Sequence, residues 1–251
     1  MLLIDGDVYA YQAAVVTEST VSFDGSNYTR IGSLPDAIVA FEDRIASILK
    51  RFKTDQYIIA LTDGVNFRKE LCPTYKANRD PRNRPLCLSA LREHILERHK
   101  TYQRPGLEAD DVLGILATST KIFPEGTRRI IVSVDKDMKC IPGEFWHSKE
   151  DKLHKITPEV AAYRHCFQTL TGDITDGYPG CPGIGIRKAT KLLEGLIGYE
   201  ALWPVVVKAF EKAKLTEDDA LMQARMARIL QVTDYDFKKK EVKLWNPPQR
   251  S

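Results

Sequence analysis

At 251 residues, 43% hydrophobic and 28% charged, the chain has the composition of a folded globular protein large enough for one α/β domain with a small helical addition. No apolar run nears the roughly 20 residues that a membrane-spanning helix needs, and Met1-Leu-Leu-Ile-Asp5 turns acidic too soon for a signal peptide, so a cytoplasmic protein with no membrane partner is expected. A net charge of +3 identifies no partner by itself, but between Asn66 and Arg104 ten Lys or Arg face four Asp or Glu, which leaves the rest of the chain net negative. Five widely spaced cysteines without a Cys-x-x-Cys pair argue for free thiols and against a disulfide frame or a cysteine zinc site.

Leu2-Leu3-Ile4 reads as a buried strand followed by Asp5 and Asp7, with a helix from Val8 to Val16. Val21 to Ile31 alternates around Asp24-Gly25, a hairpin signal. Pro35 to Phe52 places Ile38, Phe41, Ile45, Ile48 and Leu49 on one helical face and leads into a strand, Tyr57 to Leu61, that ends at Asp63. This order predicts a parallel sheet with right-handed crossovers. The segment from Gly64 to Arg104 is basic and broken by Pro73, Pro81 and Pro85, and only Leu88 to Lys100 reads as helix. A connection this long inside a compact domain is usually functional. His94 and His99 lie in that helix without ligand spacing and are expected to be exposed. A helix follows Glu108, a turn spans Pro124 to Gly126, and the strand Ile130 to Val134 ends at Asp135 and Asp137. A β region from Glu144 to Ile156 then precedes a helix from Thr157 to Leu170 that carries Pro158 in its first turn.

The stretch Leu107-Glu-Ala-Asp-Asp-Val112 holds three carboxylates in four residues at the start of an apolar helical run. Such acids in one dry site repel by several kcal/mol unless cations lie beside them. Helix-capping acids are common, but here the cluster is one of five groups: Asp5 and Asp7, Asp63, Asp135 and Asp137, and Asp173 and Asp176 all end apolar strand-like runs or sit in a Gly-rich turn. In a parallel sheet the carboxyl ends of strands share one edge, so these acids converge there and point to a divalent metal site.

Gly172 to Gly198 is the second informative stretch. Gly180, Gly183 and Gly185 precede a helix starting near Arg187 and can offer backbone amides to a phosphate. A P-loop is excluded because Ile186, not Lys, follows Gly185, and no strand and tight turn precede the glycines as in a dinucleotide fingerprint.

Taken together, Ile4-Asp5-Gly6, Thr62-Asp63 with Phe67-Arg68, Tyr75-Lys76-Ala77-Asn78-Arg79, Glu108-Ala109-Asp110-Asp111, Ser133-Val134-Asp135-Lys136-Asp137 and Gly172-Asp173 through Pro182-Gly183-Ile184-Gly185 resemble the 5′ nuclease superfamily of flap endonucleases and 5′→3′ exonucleases. Asn66 to Leu71, Met226 to Leu230 and Val242 to Trp245 are similar to the short-tailed phage 5′→3′ exonucleases. The resemblance implies a central, mostly parallel α/β sheet flanked by helices (PIN-like or resolvase-like), a nuclease domain over 1–170 with an arch insertion at 64–104, and a helix-three-turn-helix and C-terminal helical part over 171–251. By position it implies Asp5, Asp63, Glu108 and Asp110 as ligands of one Mg2+ or Mn2+, and Asp111, Asp135, Asp137, Asp173 and Asp176 as the second group. Lys76 and Arg79 match catalytic arch cations, Tyr75 a stacking aromatic, and Arg68 a DNA contact, while Gly180, Gly183, Ile184, Gly185, Arg187 and Lys188 match a duplex clamp with a potassium ion at the backbone carbonyls of residues 183–186. Asp7 stands where many members carry Asn or Ser, and Gly177 where Asn is frequent.

The implied activity is two-metal hydrolysis of duplex DNA from a 5′ end or flap, with RNA–DNA hybrids a further substrate, in phage replication or DNA degradation in the host cytoplasm. A monomer that meets replication proteins is expected. Two rivals are weaker. A non-catalytic DNA-binding protein gains nothing from nine carboxylates facing a polyanion, and PIN-like ribonucleases lack the glycine clamp.

Overall fold

The computed structural model describes residues 1–248, so 249–251 of the expected 171–251 part lie outside the described residues. In chain order the elements are β1 (Leu2–Asp5), α1 (Gly6–Val16), the hairpin β2 (Glu18–Ser22) and β3 (Tyr28–Gly32), α2 (Leu34–Phe52), β4 (Tyr57–Ala60), α3 (Phe67–Leu71), α4 (Leu88–Arg98) and β5 (Thr101–Tyr102). There follow α5 (Ala109–Thr118), β6 (Ile130–Ser133), β7 (Gly143–His147), β8 (Lys152–Ile156), α6 (Pro158–Thr171), α7 (Ile186–Leu193), α8 (Tyr199–Lys212), α9 (Glu217–Ala227) and a short pair, β9 (Tyr235–Asp236) with β10 (Glu241–Val242).

The main sheet runs β5-β4-β1-β6-β7-β8, parallel except for the β7–β8 pair. β1 sits in the middle, and all four of its residues are buried, as expected for a parallel strand covered on both faces. Its period-2 alternation feeds two cores. Leu2 and Ile4 join Ile59 and Val132 under Phe41 and Ile45 of α2 and Leu91 and Ile95 of α4. Leu3 joins Ile58 and Ile131 under Val112, Leu113 and Leu116 of α5 and the tail residues Ile229 and Leu230. Burying each such side chain contributes about 1.5–3 kcal/mol, so the strand bearing Asp5 is fixed from both sides. A third core lies within α6 to α9, where Cys166, Leu170, Leu193, Trp203 and Phe210 meet Trp245.

Several expectations shift. The helix expected from Val8 begins at Gly6, because the Asp5 side chain accepts from Val8 N at 3.2 Å and caps it. The strand expected to run to Leu61 ends at Ala60, which leaves Asp63 on a loop. His94 and His99 are not an exposed pair. His99 is nearly buried, with its side chain 6% exposed, and both imidazoles bond to Glu42. Among the described residues, no helix is long and apolar enough to cross a membrane.

Candidate active site

The carboxyl-terminal edge of β1, β4 and β6 opens into a cavity of about 740 Å3. Eight of the nine acids expected as metal ligands line it: Asp5, Asp63, Glu108, Asp110, Asp135, Asp137, Asp173 and Asp176. Several are aimed by local backbone chemistry. Asp135 follows β6 and caps a single 3-10 turn by accepting from Asp137 N at 2.8 Å. Asp63 accepts from Gly106 N at 3.0 Å. Asp173 accepts from Thr175 N at 2.7 Å and Asp176 N at 3.2 Å in the turn after α6. Ser133, to which the sequence pattern gives no role, ties two strand ends together: its hydroxyl donates to Asp5 Oδ2 at 2.7 Å and accepts from Asp135 N at 3.0 Å.

The electrostatics divide these acids. Among the described residues, no side-chain nitrogen of Lys, Arg or His lies within 4.0 Å of a carboxylate oxygen of Asp5, Asp63, Asp110, Asp135, Asp137 or Asp173, whereas Glu108 and Asp176 are paired. Burial pushes the Asp5 carboxyl up to about 6, against bonds from Ser133 and Val8, with the Asp135 charge adding to the rise. Burial and then the Asp135 charge push Asp137 up to about 6 as well. Asp110 is driven well above the ordinary range by burial and by the charges of Asp5, Asp135 and Glu108. Glu108 goes the other way. Burial alone would raise it, but Arg68 and Lys76 hold it down to about 2.

The acid edge faces cations from the segment between β4 and α4. Lys76 adopts a left-handed backbone (φ 55°), donates its amide to the Asp176 carbonyl at 2.9 Å, and places its ammonium on Glu108 and 3.6 Å from Asp176 Oδ2. Arg79 reaches Asp176 Oδ1 at 2.8 Å and stays over half exposed. The departure at Gly177 has a steric reason: with φ at 79°, a Cβ there would sit 2.7 Å from the Thr74 carbonyl oxygen, so the turn bearing Lys76 can seat on the acid loop only over a glycine. Arg84, Arg92 and Lys136 also line the cavity, although no motif in the sequence assigns them a role. Arg92 bonds Asp7 and the Thr62 carbonyl. Its signal was present in the four-residue spacing of Leu88 and Arg92, which puts both on one face of α4.

Four expected site residues are elsewhere. Asp111 is fully buried and accepts a two-pronged bond from Arg68, at 2.7 and 2.8 Å, as well as Leu230 N at 3.0 Å, so both its oxygens are committed within the protein. Arg68 is not a surface DNA contact. All five of its N–H donors are used, on Asp111, Glu108 and the carbonyls of Met226 and Arg228. Tyr75 is 3% exposed and cannot stack on a base; its hydroxyl donates to Glu108 at 2.7 Å and Asp176 at 3.3 Å. Gly180 is buried against Gly172, and its amide donates to Gln223 at 2.8 Å, which removes it from any phosphate-reading surface. Gly183 and Gly185, by contrast, border open space, beside exposed Arg187 and Lys188. The first amides of α7 have no acceptor within the helix, and the Gly183 carbonyl accepts from Lys188 Nζ at 2.8 Å.

Residues 1–160 match the model of the 5′-3′ exonuclease N-terminal resolvase-like domain. The chain belongs to the 5′-3′ exonuclease family and is a phosphodiester hydrolase. It is 34% identical to the exonuclease of Escherichia phage T7 and 33% identical to the exodeoxyribonuclease of Enterobacteria phage T3, in each case over 98% of this chain and 93% of the relative. The fold is also that of the bacteriophage T5 flap endonuclease, solved as a pseudo-enzyme–product complex with DNA and metal ions: TM-score 0.64 and 15% identity, covering 90% of this chain and 88% of that one.

Proposed function

We propose that this chain is a divalent-metal-dependent 5′→3′ exodeoxyribonuclease that also cuts 5′ flaps, acting on duplex DNA. The observation that carries the reading is Asp110, which meets the charges of Asp5, Asp135 and Glu108 inside one cavity with no salt-bridge partner among the described residues. Oxygen donors of this kind suit magnesium or manganese, which keep several waters and take few carboxylates each. Asp5, Asp63, Glu108 and Asp110 would hold one ion and Asp135, Asp137, Asp173 and Asp176 a second, some of them through water. Bound there, the ions supply an activated water and charge stabilisation at the scissile phosphate and its leaving 3′-oxygen.

The chain's own groups do the remainder. Lys76 and Arg79, on the acid edge, offset charge on the phosphoryl group, while Arg92 and Arg84, which line the same cavity, give the incoming strand cationic partners. Ser133 fixes the spacing of Asp5 and Asp135. The exposed Gly183–Gly185 turn, the free amides of α7, Arg187 and Lys188 form a duplex grip at a distance from the chemistry. Potassium at the carbonyls of 183–186 fits this grip once Lys188 Nζ leaves the Gly183 carbonyl for a phosphate. On this reading residues 1–170, with the 64–104 arch, carry most of the chemistry, while 171–251 adds Asp173 and Asp176 to the cavity and supplies the grip. The protein works as a monomer in the cytoplasm of a phage host, and takes RNA–DNA hybrids and replication proteins as further partners.

The test is hydrolysis of 5′- and 3′-labelled duplexes, with and without a flap, in magnesium, in manganese and in a chelator. Short products from the 5′ label only with added metal are expected. Full turnover in the chelator, or release from the 3′ end first, would overturn the assignment.

A further inference from the structure

Away from the cavity, three side chains from two helices converge on one point: Glu42 of α2, His94 of α4 and His99, the residue that ends α4. None of them lines the catalytic cavity. Glu42 Oε1 lies 3.1 Å from His94 Nε2 and 2.9 Å from His99 Nε2, and the three potential donor atoms are all within 4.8 Å of one another. Two imidazole nitrogens and one carboxylate oxygen are the donor set of many zinc centres. Zinc bonds of about 2.0–2.1 Å at tetrahedral angles put neighbouring donors roughly 3.3 Å apart, close to the two Glu42–His spacings here.

A second observation is independent of that convergence. His99 Nδ1 lies 2.9 Å from the hydroxyl of Tyr57, at the start of β4. When His99 carries its proton on Nδ1, the Tyr57 oxygen accepts it and the Nε2 lone pair faces Glu42 and His94. A second-sphere oxygen on the other ring nitrogen is how metal-bound histidines are usually oriented. Phe41 packs edge-on against His99, with centroids 5.6 Å apart, and fixes the ring plane. Glu42 is 41% and His94 22% exposed at the side chain, which leaves room for entry and for a water as the fourth ligand.

We infer that Glu42, His94 and His99 form a zinc-class divalent cation site, separate from the catalytic acids, that cross-links α4 to α2. Imidazole ligands select borderline ions such as zinc over magnesium, so the site does not compete for the ion proposed for hydrolysis. Its position matters because α4 closes the arch and carries Arg92 into the catalytic cavity.

The full chain, labelled with 15N in its histidines, is titrated with zinc sulfate and followed through the imidazole nitrogens, which the catalytic carboxylates do not affect directly. Of the five histidines, two should move to metal-bound positions at about one equivalent beyond any taken up by the acids, and His94→Gln and His99→Gln should each remove one of the two signals. Glu42→Gln should weaken zinc, measured by competition with a chromophoric chelator, by roughly tenfold or more. Unmoved imidazole signals in a large zinc excess would overturn the site. So would a Glu42→Gln variant with the parent's affinity. Should His99→Gln fail to fold, the more exposed His94→Gln gives the same reading.

Discussion

Asp110 and Asp111 are neighbours in the first turn of one helix, yet they lie in opposite electrostatic worlds. Asp110 opens onto the cavity among other acids and has its carboxyl driven upward, while Asp111 points into the protein and meets a guanidinium with every donor satisfied. Helical geometry alone turns adjacent residues about 100° apart, so one side chain serves the site and the next holds the site together. The same contrast recurs between Glu108, paired with Lys76 and Arg68, and Asp5, paired with no cation among the described residues. A run of acids can therefore serve two ends at once: Asp110 stays unneutralised at the cavity, and Asp111, neutralised by Arg68, braces the helix that carries both.

Breaking the brace should have the largest effect on stability. Arg68→Ala leaves Asp111 charged and fully buried without its partner, a loss of about 3–5 kcal/mol, seen as a lower urea midpoint. An unchanged midpoint would mean that the pair contributes nothing. Within the cavity, Lys76→Ala should slow single-turnover cleavage by about 10²–10³-fold, as for loss of one charge-stabilising donor, with binding much less affected. Weakened binding at an unchanged rate constant would make Lys76 an ordinary backbone contact.

Asp110→Asn sharpens the comparison from the other side, because it should abolish hydrolysis and yet stabilise the metal-free protein at neutral pH. The sign follows from the raised acids. The Asp5 and Asp137 carboxyls stand at about 6 in the fold, so the folded chain keeps protons that the unfolded chain releases between about pH 4 and 6. The contribution of these acids to stability in a chelator is then greatest below that window and declines as pH rises through it, partly offset by the buried His165, whose imidazole is held down to about 3. Melting curves in the chelator at pH 5 and 7 should show the decline in the parent, a smaller one in Asp110→Asn, and recovery of the parent at pH 7 on adding manganese. A parent that gains stability from pH 5 to 7 in the chelator would contradict this account. The smallest effect expected is at the grip: Gly185→Val should flatten the slope of log duplex affinity against log salt by about one unit for every phosphate that the variant no longer engages. Equal slopes in variant and parent would move duplex binding to the arch.

The sheet was legible because β1, β4 and β6 are short apolar runs, each followed by Asp, a pattern that composition rarely produces by chance. The cavity acids were legible for the same reason. What local sequence does not encode is which side chain of a polar cluster finds a distant partner. Arg68 and Asp111 are bound together through the tail at Met226 to Leu230, and no spacing within residues 66–111 announces it. The resemblance makes Tyr75 a stacking aromatic, but in the turn that seats on Gly177 it is buried and bonded to Glu108. α3 is only five residues long inside a Pro-broken segment, and α8 carries Pro204 in its interior, so periodicity gave little warning of either. The spacing of Gly180, Gly183 and Gly185 does not separate the buried first glycine from the other two, which face open space.

The reach of the Arg68 bonds also sets an order of events during synthesis. The carbonyls of Met226 and Arg228 follow Arg68 by 158 and 160 residues, a delay of roughly ten to thirty seconds at ribosomal speeds. By the time α8 has been translated, every cavity acid and Lys76 already exist, but the Arg68 guanidinium still lacks two of its acceptors and Asp111 lacks the Leu230 amide. The nascent nuclease thus acquires its chemistry early and its rigidity late, and a chain released before the tail carries the acids without the frame that aims them.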